Sequence, residues 1–72
     1  MSREELIKAL TDLLETDEVL EPETELDSLD EWDSLAFLSL MAFAKKEFNY
    51  NLTASEIREF HKVDDICDSL LA

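Results

Sequence analysis

Seventy-two residues suffice for one small domain and no more. Nineteen acidic against six basic residues give a net charge of −13, which excludes nucleic acid and anionic membranes as partners, because both require a cationic surface. With 46% hydrophobic residues the chain is too apolar to be disordered.

So much like charge repels itself in the compact state, so stability is expected to rise with added salt. A partner with a basic surface suits this charge. The single Cys67 allows no intrachain disulfide, and no charged stretch followed by an apolar one opens the chain. A cytoplasmic protein is therefore expected. The longest uncharged run, Ser34 to Ala44, is about half of the ~20 residues that span a bilayer, so no membrane insertion is expected.

The chain has no Gly and one Pro, which disfavours hairpin turns and favours helices joined by capped loops. Ser2-Arg3-Glu4-Glu5 is a capping-box pattern, and Leu6, Ile7, Leu10, Leu13 and Leu14 follow at helical spacing. A first amphipathic helix is predicted from Arg3 to about Glu15. From Thr16 to Asp33 the periodicity is lost, and Pro22 and many acids appear. This reads as a long loop tacked down by Val19, Leu20, Leu26 and Leu29.

Three of the four residues from Asp30 to Asp33 are acidic, and the uncharged run follows at once. Asp33 or Ser34 can cap a second helix on which Phe37, Leu40, Met41, Ala44 and Phe48 share one face, the predicted core face. Leu35, Leu38 and Ala42 form a second apolar strip roughly 120 to 140° away. Ala36, Ser39 and Lys46 are expected on the exposed side with them. Asn49 to Leu52 is a connector.

Thr53-Ala54-Ser55-Glu56 is another capping box, opening a short helix with Ile57 and Phe60, and His61 and Lys62 suit its C-terminal turn. Val63, Ile66, Cys67, Leu70 and Leu71 then mark a final helix, with Asp64 and Asp65 in its first turn. The fold class is all-α: four helices, with a long loop between the first and second and a short third.

Asp-Ser-Leu occurs at 27 to 29, 33 to 35 and 68 to 70, so the tripeptide alone decides nothing. Ser69 is an ordinary polar position near the end of the last helix, and Ser28 lies in a loop with no helix to present it. Ser34 alone stands at a loop-to-helix junction in mid-chain. There the backbone N–H groups lack intrahelical partners and the helix dipole is positive. On the residues alone two readings stand: Ser34 merely caps the helix, or its hydroxyl carries a phosphate ester held at an anion-favouring helix start.

Parts for catalysis are missing: one His, one Cys and no glycine-rich phosphate loop. His61 reads as a solvated helix-end residue and Cys67 as a buried, inert thiol. The acids do not form a calcium loop, since Asp27, Asp30 and Asp33 are spaced by three and the required Gly is lacking. No metal site and no enzyme are expected.

The segment "LDEWDSLAFLSLMAFAKKEFNYNL" followed by "TASEIREFHKVDDICDSLL" resembles the acyl carrier protein family. The likeness lies in an Asp-Ser-Leu heading the second helix, a Phe closing it, an apolar connector, a short third helix and a Val-Asp-Asp opening to the last. It covers nearly the whole chain and implies a small four-helix bundle of the acyl-carrier-protein type. It further implies that Ser34 is the attachment point of 4′-phosphopantetheine, transferred from coenzyme A by a separate phosphopantetheinyl transferase, with an acyl group carried as a thioester. Asp33 and Leu35 match the positions that help the transferase recognise its substrate.

Two departures narrow the expectation. Glu31-Trp32 stands where fatty-acid carriers show a small residue, and the exposed side of the second helix is apolar where theirs is acidic. Partners are then expected to dock through Leu35, Leu38 and Ala42 more by apolar contact than by ion pairs. A monomeric, specialised carrier served by a loading ligase and downstream transferases is expected. An aminoacyl carrier of the D-alanyl type and an unmodified acidic adaptor are the alternatives.

Overall fold

A computed structural model describes residues 1–71. Helix α1, Arg3–Leu14, begins at the expected capping box: Ser2 Oγ accepts from Glu5 N–H at 3.1 Å, and Glu5 Oε1 accepts from Ser2 N–H at 2.9 Å. It ends one residue earlier than predicted, because Glu15 turns into the left-handed region at φ 54° as the C-cap. Asn49 does the same at φ 51° after α2, Ser34–Phe48. In a chain without Gly these two residues make the left-handed turns, and Asn tolerates that region better than Glu.

Helix α3, Ala54–Arg58, opens with the predicted Thr53/Glu56 capping box. Helix α4 is Val63–Leu71. The protein is all-α: four α-helices, one 3₁₀ turn at Leu26–Ser28 and no strand among the described residues. Helix α1 packs against both α4 and α2.

Buried leucines from every part of the chain meet in one core, including Leu6, Leu10, Leu26, Leu40 and Leu70, with Ile57, Val63, Ile66 and Cys67. The core face of α2 is the predicted one turned slightly toward Ala36. Its buried residues are Ala36, Leu40 and Ala44, whereas Phe37, Met41 and Phe48 pack against the core half-buried. Ala36, expected on the exposed side, is buried. The run from Ser34 to Ala44 is apolar on most sides, so periodicity alone did not place Ala36, and small alanines let the helix backbone approach its neighbours.

The long loop is tacked down as predicted by Leu20, Leu26 and Leu29, all buried, but Val19 is 85% exposed. Backbone bonds hold the loop's middle against the connector between α3 and α4. Leu26 N–H donates to His61 O at 2.8 Å, Val63 N–H to Thr24 O at 3.0 Å, and Asp64 N–H to Pro22 O at 3.0 Å. His61 and Lys62 lie beyond α3 rather than in its last turn, and their amides donate to the Asp65 carboxylate at 2.8 and 3.0 Å. The amides at the start of a helix have no intrahelical acceptor, and that carboxylate supplies one to both.

Candidate functional site

Asp33 takes the N-cap of α2, its Oδ1 accepting from Ala36 N–H at 3.0 Å while its carbonyl accepts from Phe37 N–H at 3.0 Å. Of the two caps the sequence allowed, Asp33 is therefore the one that forms, and Ser34 is the first helical residue. Ser34 is exposed, and its hydroxyl has no hydrogen-bond partner among the described residues. Released from the capping task, that hydroxyl is open to chemistry.

The other two Asp-Ser-Leu serines are placed differently. Ser28 Oγ donates to Glu25 O at 2.6 Å, which ties it into the 3₁₀ turn. Ser69 is half-buried near the end of α4.

Beside Ser34, between the end of α1 and the start of α2, lies an open groove of about 460 Å³. Leu13, Leu35 and Leu38 form its apolar side, and Glu15, Glu31 and Asp33 its acidic side. Leu35 is 73% and Leu38 61% exposed, so the second apolar strip of α2 is uncovered as expected. Ala42 is exposed too but does not line the groove. Leu13, Glu15 and Glu31 were not anticipated here; their approach depends on how α1 meets α2, which local spacing does not encode.

Two opposing fields meet at Ser34. The free amides at the start of α2 and the helix dipole favour an anion, while the three groove acids disfavour one and no Lys or Arg stands between Lys8 and Lys45 to offset them. An anionic group on Ser34 would have the free amides of the helix start to pair with and open space beside it.

Two reactive side chains elsewhere are occupied. Cys67 is fully buried, and burial pushes its thiol up from the ordinary value. Tyr50 donates its hydroxyl to Glu56, which raises the phenol. No group of His, Cys, Asp and Glu among the described residues could hold a metal ion, and no helix is long and apolar enough to cross a membrane.

The fold and site define a small all-α protein that presents an uncapped serine at the head of its longest helix. Compared with protein-family models, curated proteins and solved structures, the chain matches none.

Proposed function

We propose that this chain is a carrier protein of the acyl-carrier type, modified on Ser34 by 4′-phosphopantetheine and not itself an enzyme. One observation carries the reading: Asp33 caps α2 and leaves the exposed Ser34 hydroxyl unbonded. The order and lengths of the helices and the resemblance of the segments around Asp33-Ser34-Leu35 and Val63-Asp64-Asp65 support it.

Each residue near the site then has a task. Under a phosphopantetheinyl transferase, Ser34 Oγ loses its proton and bonds the phosphorus nearest the pantetheine of coenzyme A, the pyrophosphate bond breaks, and adenosine 3′,5′-bisphosphate leaves. Asp33 holds the turn, and Leu35 beside it gives the transferase an apolar contact. Leu35, Leu38 and Ala42 form the surface on which a loading ligase and downstream transferases dock. The attached group supplies a terminal thiol that holds an acyl cargo as a thioester. The protein works as a cytoplasmic monomer in a specialised pathway; an aminoacyl cargo uses the same scaffold.

Exposed Leu35 and Leu38 also suit the competing reading, an acidic adaptor that takes no prosthetic group. Peptide mapping after incubation with coenzyme A and a transferase separates the two. The carrier reading expects the added group on the peptide containing Ser34 and on neither Ser28 nor Ser69. Modification of either other serine, or of none, contradicts it.

A further inference from the structure

Trp32 stands one place before the Asp33 cap, and Phe37 stands four places into the sequence after it. Their rings meet edge to face, with centroids 4.9 Å apart and planes at 67°. These are the two positions at which an apolar pair clamps a helix start and fixes the angle at which the chain joins it. Trp32 is also held from behind: its N–H donates to Leu29 O at 3.2 Å, and Leu29 is buried in the core. The strand of chain carrying Ser34 is thus anchored on the core at Leu29 and on α2 at Phe37.

We propose that Trp32 is a positioning residue whose clamp on Phe37 holds the Asp33 cap, and with it the Ser34 hydroxyl, in the one arrangement that a modifying transferase accepts. The proposal rests on the reading of Ser34 as the modified residue. Neither ring lines the groove beside Ser34, so Trp32 acts through the backbone it holds and not by touching the incoming group. Without the clamp, the free protein spends part of its time with the junction open. Apparent affinity falls by the fraction of molecules still competent, whereas the rate of the bound complex does not change. The strength typical of an edge-to-face pair corresponds to a population change of roughly three- to tenfold.

The test compares the parent with Trp32→Ala and Trp32→Phe by two readouts. The first is the kinetics of phosphopantetheinylation of the full chain. The second is hydrogen exchange of the Ala36 and Phe37 amides, whose bonds to Asp33 report the cap in the free protein. Trp32→Ala is expected to speed both amides roughly three- to tenfold and to raise KM, by at most that factor, with kcat unchanged. Trp32→Phe restores both readouts. Should Trp32→Ala fail to fold, Trp32→Leu keeps the apolar bulk without the ring and is expected to show the same pattern.

Unchanged exchange with a raised KM would overturn the proposal and make Trp32 a contact of the transferase. Faster exchange with unchanged KM would overturn it equally, since the cap would then not govern modification. A parent that no transferase modifies would sink the reading of Ser34 and the transferase role together, while the exchange measurement still decides whether Trp32 holds the cap.

Discussion

Arg3 at the start of α1 reaches two acids of α4: its guanidinium bonds Asp64, and its Nη2 lies 3.0 Å from Asp68 Oδ1. Sixty-one positions separate Arg3 from Asp64, so one of the chain's six cations ties its first helix to its last. The hydrogen bond that Arg3 donates to Asp68 is the main cause that raises the Arg3 pKa, which keeps the clamp charged.

Replacing Arg3 with Ala removes the clamp and takes the net charge from −13 to −14 (−13 minus one). The melting temperature is expected to fall by roughly 2 to 4 °C in dilute buffer. The parent itself is expected to melt higher as salt rises to about 0.5 M, because screening shortens the reach of acid–acid repulsion. Melting curves over a salt series check both, and a parent whose stability falls steadily with salt contradicts the second.

Asp65 accepts from the His61 and Lys62 amides, and these bonds, His61 first, hold its carboxyl below the ordinary value of 3.8. A carboxyl lowered by folding stabilises the protein fully above its unfolded value and loses that contribution as pH falls through its folded one. Asp65→Ala is therefore expected to melt roughly 4 to 8 °C below the parent at pH 7. That gap should narrow once pH drops below about 4. A gap that widens toward acid would refute the assignment.

Leu40 is fully buried and Leu38 is 61% exposed, two positions apart on α2. Leu40→Ala should cost about 2 to 5 kcal/mol, against a total of ~3 to 5 kcal/mol for a domain of this size. Chemical denaturation should therefore find the variant largely unfolded. Leu38→Ala should change stability by less than about 0.5 kcal/mol, and on the docking account it should still weaken transfer to partner enzymes.

What could be read from residue order was the local chemistry of helix ends. The Ser2/Glu5 and Thr53/Glu56 boxes and the start of α4 at Val63 all form as their side chains dictate. The orientation of α2 was legible in part: Leu35, Leu38 and Ala42 face outward and Leu40 and Ala44 inward as expected, whereas burial of Ala36 follows from packing against other helices, which an apolar run does not encode. Of the adjacent apolar pair Val19-Leu20 only Leu20 turns into the core, and Val19 stays outside among Asp17, Glu18 and Glu21. The pinning of the loop to residues 61–64 is made by backbone groups, which every residue carries. The clamp of Trp32 on Phe37 did have a signal, two aromatics flanking a capping Asp at staple spacing.

If Ser34 is the residue that is esterified, intact mass will register the added group. The purified chain and its Ser34→Ala variant are incubated with coenzyme A, Mg²⁺ and a broad-specificity phosphopantetheinyl transferase. The account predicts a gain of one phosphopantetheine in the parent and none in the variant. No gain in the parent with several transferases, or an equal gain in both chains, would contradict it.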